Sequence, residues 1–167
     1  MSEALRGFIL EQAEATDVFC FQEVFPGSTT VLEGLLPDFQ TVAAHKIVDN
    51  EEQFAQMTYV KAHLPVLSSQ RALDEIADGG VALYTELSGK GSIHVGNVHG
   101  IAYTKDEKLD DEVRLAQSRG VIDLFHPLHG KKIIGGDFNV LPDTESIRMF
   151  EQNGYVDLIR EFNIPTT

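Results

Sequence analysis

Apolar residues along this chain change their period several times, and each change marks an element. Leu5, Phe8, Ile9 and Ala13 recur at helical spacing and predict an amphipathic helix over residues 3–16, ended by Asp17. Val18-Phe-Cys-Phe-Gln-Glu-Val24 is β-branched and aromatic, the composition of a buried strand. Pro26-Gly27 breaks it, and Ser28-Thr-Thr caps a short helix reaching Leu36. Alternation at Phe39, Thr41 and Ala43 predicts a strand to Ile47, and Met57–Ala62, Val66–Ala72 and Gly79–Leu87 read as strands too. After the Gly89-Lys-Gly91 hairpin signal comes Ser92–His99.

Asp110 to Leu128 carries the longest helical pattern, with Val113, Ala116, Leu124, Phe125 and Leu128 on one face. Gly120 weakens it without ending it. Lys132–Gly136 is a short buried strand. Asp143-Thr-Glu-Ser opens a helix to about Glu151, stopped by Gly154, and Val156–Phe162 is a last short helical piece. An early helix and strand, then antiparallel-looking strands, then helix, strand and helix predict α and β layers rather than a doubly wound sheet.

The chain has 167 residues, which predicts one domain over 1–167. Cys20 is the only cysteine, which excludes an internal disulfide and any zinc site of several thiolates. There is no apolar run of about 18 residues and no apolar stretch behind Met1 of the kind a signal peptide needs, so the expected location is cytoplasmic. Charge is more informative. Twenty-six acids against 13 lysines and arginines leave a net charge of −13, with no basic cluster. Such a surface repels a nucleic-acid backbone, so a phosphate ligand has to be met by a local site, with a metal. A small phosphoester is favoured over a long nucleic acid.

Several apparent motifs carry no chemistry. Ser118 in Ala116-Gln-Ser-Arg-Gly120 sits inside a helical pattern, where a nucleophile elbow needs a strand before it. Gly89-Lys90-Gly91 lacks the rest of a phosphate loop. His126 and His129 suit a helix C-terminus, and Cys20 suits the core. The acids from Asp106 to Glu112 read as a solvated loop and helix start.

Three segments differ, each placing polar groups at the end of a strand. Glu23 closes Phe21-Gln-Glu-Val24, either as an exposed strand-end acid or as a metal ligand. In Val95-Gly-Asn97-Val-His99-Gly100, Asn97 and His99 lie two apart and share a face. Asn97 can donate to a phosphoryl oxygen, and His99 can stabilise developing charge or protonate a leaving group; a hydrogen-bonded core histidine is the alternative. In Ile133-Ile-Gly-Gly-Asp137-Phe-Asn139, Asp137 and Asn139 share a face, while Phe138 turns into apolar surroundings. Asp137 is a hard oxygen donor suited to Mg²⁺ or Mn²⁺, and Asn139 can orient a nucleophile or grip phosphate; a plain Asx turn is the alternative. The combined inventory is that of metal-assisted phosphoryl chemistry.

Gln22-Glu23, Asn97-Val-His99-Gly100 and Gly136-Asp137-Phe-Asn139, in this order, resemble the endonuclease/exonuclease/phosphatase family, the deoxyribonuclease I-like proteins. The resemblance runs from Val18 to about Phe162. It implies an α/β fold, a four-layer α/β/β/α sandwich, and a divalent-metal-dependent phosphoesterase in which water attacks in line. By matching motif, Glu23 and Asp137 would serve the metal, Asn97, His99 and Asn139 the phosphate, and Asp137 and Asn139 the nucleophile. Family members also carry an opening strand with an Asn and a closing Ser-Asp-His segment. Neither is seen here, where the sequence runs out at Pro165-Thr-Thr167, so the expectation is a partial domain with impaired activity. The alternative is a catalytically inactive binding or scaffold module that keeps the fold.

Overall fold

A computed structural model describes residues 1–48, 51–73, 80–102 and 108–164. Among these residues five helices and seven strands follow in the order α1 (Glu3–Ala13), β1 (Val18–Val24), α2 (Pro26–Leu35), β2 (Phe39–Val48), β3 (Glu51–Lys61), β4 (Val66–Ala72), β5 (Val81–Gly89), β6 (Gly91–His99), α3 (Glu112–Phe125), β7 (Lys131–Asp137), α4 (Glu145–Gln152) and α5 (Leu158–Glu161). The strands form two sheets, ordered β1-β3-β2 and β4-β5-β6-β7. All pairs are antiparallel except β6 with β7, which are parallel and joined through α3.

The sheets pack face to face, each with helices outside. Ile9 of α1 and Leu32 of α2, with Leu36 after it, pack on Ala55, Met57 and Tyr59 of the first sheet. Val121, Ile122 and Phe125 of α3 and Phe150 of α4 pack on Ala82, Tyr84 and Val98 of the second. Between the sheets, apolar clusters gather Ala44 with Val81 and Leu83, and Val60 with Leu87 and Val95. The result is the expected α/β/β/α layering. Strand alternation makes it possible: Ala55, Met57 and Tyr59 face the helices, while Gln56, Thr58 and Val60 turn inward.

The sequence reading differs from this structure in several places. Strand β7, expected to be buried, is an edge strand among the described residues and has no buried residue, Ile133 being 54% exposed. Of the expected apolar face of α1, Leu5 and Phe8 are exposed and only Ile9 is buried. Helix α2 starts at Pro26, before Ser28, because proline suits the first helical position, where its missing N–H costs nothing. Strand β3 begins at Glu51, six residues before Met57; its polar start is held by hairpin pairing with β2 rather than by burial. The buried residues of α3 include Arg114, Gln117 and Ser118 as well as Val121, Ile122 and Phe125. Of the predicted apolar face, Phe125 is buried and Leu124 and Leu128 pack on the same core, whereas at the first turns Arg114, Gln117 and Ser118 are buried in place of Val113 and Ala116. The acid run is more than solvated: Asp110 accepts hydrogen bonds from Glu145 N (2.6 Å), Ser146 N (3.0 Å) and Ser146 Oγ (2.5 Å), capping α4 across the sequence. Thr144, the local cap residue, makes no side-chain cap bond there. Gly79, Asp106, Glu107 and residues 165–167 lie outside the described residues.

Candidate active site

Strand β1 approaches the site as an ordinary alternating strand until Gln22. Phe21 is opposite Met57, yet Val24 is opposite Ala55, so β1 contains one extra residue there. This is a β-bulge, and Glu23 sits in it with φ 51°. Without the bulge Glu23 would follow Phe21 and Phe19 toward the helices. With it, the carboxylate turns to the second sheet, where Oε1 lies 3.6 Å from His99 Nε2. Glu23 keeps 58% of its side chain exposed, against 8% for His99, so the acid faces the opening and the imidazole lies behind it.

His99 ends β6 and is the register partner of Asp137 at the end of β7. Partners in a parallel ladder stand on adjacent strands about 4.8 Å apart, side chains on one face. Glu23 of one sheet therefore lies against His99, whose register neighbour on the adjacent strand is Asp137. The two strands that bring them, β1 and β7, are each paired on one side only among the described residues. Two glycines fix the approach. Gly136 has φ +135°, and a Cβ there would lie 2.0 Å from the Val98 carbonyl oxygen; one on Gly100 would lie 2.1 Å from that of Phe138. Only glycine fits either place.

Asp137 is exposed and forms the Asx turn weighed from sequence: its Oδ1 accepts from Asn139 N at 2.9 Å. The second carboxylate oxygen accepts no hydrogen bond from the described residues. Asn139 does not share a strand face with Asp137 as expected: β7 ends at Asp137, and Asn139 lies beyond it in the left-handed region (φ 53°), which Asn tolerates. It is buried, and its Nδ2 donates to the Gly100 carbonyl oxygen at 3.0 Å, joining the loops that leave β6 and β7. Phe138 turns the other way and packs edge-on against Phe150, as expected.

Asn97 stands apart from this group. It is 0% exposed. Its Oδ1 accepts from Gln22 Nε2 at 2.7 Å, and its Nδ2 donates to the carbonyl oxygens of Phe21 and Met57, both at 3.2 Å, and to Thr58 Oγ1 at 3.4 Å. This amide ties the second sheet to both β1 and β3. It lies one alternation below His99, inside the sandwich. Sequence reasoning missed Gln22 as its partner, and it missed Phe54, whose ring meets the His99 imidazole edge-on at 5.2 Å between centroids.

The remaining histidines lie elsewhere. His94, on the opposite face of β6, bridges Tyr84 Oη and the His129 carbonyl oxygen, each at 2.9 Å. Since a carbonyl only accepts, Nε2 carries a proton. Cys20 is packed with Val18 and Val60 between the sheets, and burial pushes its thiol up to about 11, the hydrogen bond with Thr58 offsetting little. Ser118 is buried inside α3.

Glu23 and Asp137 supply hard oxygens at an open edge. Among the described residues no cluster of three or more His, Cys, Asp or Glu is placed to hold a metal ion. That donor set suits Mg²⁺ better than zinc, because Mg²⁺ is commonly held by one or two carboxylates with water and substrate oxygens filling the rest. No helix among the described residues is long and apolar enough to cross a membrane.

The backbone as a whole resembles several solved structures. An endonuclease/exonuclease/phosphatase from Bacteroides vulgatus superposes with a TM-score of 0.72 at 17% identity, over 92% of this chain and 62% of that one. A mannosyl-6-phosphatase of Bacteroides thetaiotaomicron gives 0.70 at 15% identity, over 90% and 61%. The human Nocturnin catalytic domain with bound sulfate gives 0.66 at 20% identity, over 92% and 63%. The chain thus spans about three fifths of the length of these structures. A search of curated proteins found no match. The model of the Endonuclease/Exonuclease/phosphatase family matches residues 2–167, and the chain belongs to that family.

Proposed function

We propose that the protein is a divalent-metal-dependent phosphoesterase that hydrolyses a phosphodiester or phosphomonoester by in-line attack of water. The observation carrying this reading is the contact of Glu23 from one sheet with His99 from the other, on a strand that ends in register beside Asp137. Family membership agrees with it. Glu23 and Asp137 would hold Mg²⁺ or Mn²⁺. When bound, the ion supplies Lewis-acid polarisation of the phosphoryl oxygens and offsets their charge in a strongly acidic protein.

The chain's own residues then divide the work. Asp137 presents its free oxygen to the opening while the Asx bond to Asn139 fixes its direction. Asn139 has donated one N–H to Gly100 and retains an amide oxygen and a second N–H for phosphate or the attacking water. His99 Nε2 is beside the Glu23 carboxylate, where it can donate to a phosphoryl oxygen as charge builds. Asn97, sealed in the sandwich with both amide atoms engaged, is not placed to touch phosphate and serves instead as a positioning residue, holding β6 against β1 so that His99 reaches Glu23. A small phosphoester is favoured over a long nucleic acid, given the net charge of −13.

The test is hydrolysis of bis(p-nitrophenyl) phosphate by the wild type with Mg²⁺, with Mn²⁺ and with chelator. Metal-dependent turnover is expected, with losses of about 10²-fold or more in His99→Ala and Asp137→Ala. Undiminished turnover in Asp137→Ala, or turnover indifferent to chelator, overturns the proposal.

A further inference from the structure

Phe54 is out of keeping with its strand. The other inward-facing positions of β3 are Gln56, Thr58 and Val60, and its remaining aromatic, Tyr59, faces the helices. Phe54 is half-buried and belongs to none of the core clusters. Its ring instead meets His99 at 5.2 Å with an interplanar angle of 65°, at the end of the sandwich where Glu23 opens to solvent. Lys46 is its cross-strand partner on β2 and shares its face. Lys46 has no ion pair among the described residues, although the chain carries twice as many acids as bases.

The hairpin that carries this pair is braced. His45 Nδ1 and Glu52 Oε1 lie 2.9 Å apart across it, and Arg71 of β4 donates to the His45 carbonyl oxygen. A braced aromatic ring against the His99 imidazole, with a lysine as its cross-strand partner, is a pre-organised surface for a flat anionic ester.

We infer that Phe54 and Lys46 form a specificity wall of the site, with Phe54 stacking on a planar aromatic group of the esterified alcohol and Lys46 attracting the phosphate charge. This rests on the proposed phosphoesterase reading and names the ester it prefers. Stacking on one aromatic side chain typically contributes about tenfold in affinity. Lys46 acts as a point charge and has no preference for the alcohol.

The test compares benzyl phosphate with ethyl phosphate, two esters of primary alcohols. Km is measured with Mg²⁺, and dissociation constants by ligand-observed NMR with Ca²⁺. The benzyl ester is expected to bind about tenfold more tightly. Phe54→Leu should reduce that ratio to about twofold or less, and Phe54→Trp should retain it, showing that the ring rather than the fold is responsible. Lys46→Gln should weaken both esters alike and leave the ratio unchanged. Equal binding of the two esters by the wild type, or a ratio unmoved in Phe54→Leu, overturns the inference, as does failure of the benzyl ester to bind. Benzyl-selective binding without metal-dependent turnover would leave the wall standing and remove the phosphoesterase reading. Turnover of both esters with equal Km would do the reverse.

Discussion

Replacing Asn97 by alanine tests how the two sheets are held in register. The side chain is wholly buried and makes four contacts within hydrogen-bond distance, to Gln22, Phe21, Met57 and Thr58. The bond to Gln22 at 2.7 Å is the shortest, and the one to Thr58 at 3.4 Å adds little. Truncation removes about three useful bonds at about 1 kcal/mol each and leaves the Gln22 amide short of a partner within the sandwich. The expected loss is about 3 kcal/mol, equivalent to a fall in Tm of roughly 6–12 °C for a chain of this size. Urea unfolding followed by circular dichroism measures it. Gln22→Ala should cost less, because Gln22 is only half-buried, and the double variant should lose less than the sum of the two. A coupling of about 1 kcal/mol isolates the 2.7 Å bond. If Asn97→Ala costs under about 0.5 kcal/mol, or the pair is additive, the amide is not the tie between the sheets and the argument from it fails.

Three further outcomes are expected. Burial raises the Asp110 carboxyl, but the bonds from Ser146 and Glu145 and the charge of Arg148 outweigh it and hold the group below its ordinary value. A depressed folded value means stability that is complete above the unfolded value of about 3.9 and is lost as pH falls through the folded one. Asp110→Asn should therefore flatten the acid limb of a stability–pH curve below about pH 4, and an unchanged acid limb would refute the cap; being exposed, the group contributes about 1 kcal/mol or less. Gly136→Ala should cost at least about 2 kcal/mol, from the left-handed backbone and the blocked approach to Val98; thermal melting showing a near-neutral change would contradict that geometry. Cys20, its thiol pushed up to about 11, should resist a disulfide reagent at pH 8 in the folded protein and react on unfolding.

Much of the fold was written locally. The existence of α1 and β2 and the glycine hairpin between β5 and β6 follow from side-chain size and polarity. The buried faces do not: Leu5 and Phe8 of α1 are exposed beside buried Ile9, and Thr41 and Ala43 of β2 are exposed while Ala44 is buried. Polar residues in buried places were harder to read. Arg114, Gln117 and Ser118 are buried for reasons of tertiary packing, and no periodicity of apolar residues reports them. The candidate site shows the same limit. Gln22, Glu23, Asn97, His99, Asp137 and Asn139 were visible as strand-end polar residues. The bulge at Glu23 was not, because an inserted residue alters pairing with a distant strand and leaves no mark in β1 itself. Asn97 and His99 share a face as their spacing requires, yet one is sealed within the sandwich and the other reaches its rim. Depth along a strand depends on where the neighbouring sheet ends, which spacing does not encode.

Glu23 and Asp137 belong to different sheets, and this makes occupancy a mechanical matter as well as a chemical one. A ligand gripping both acids, as proposed, would be a staple across the seam, absent from the unfolded chain. Its binding free energy adds to the resistance of the sandwich against coming apart, by about 2.7 kcal/mol at a hundredfold excess over Kd. Heat tolerance would then serve as a gauge of what the two acids are holding, readable before any product is formed.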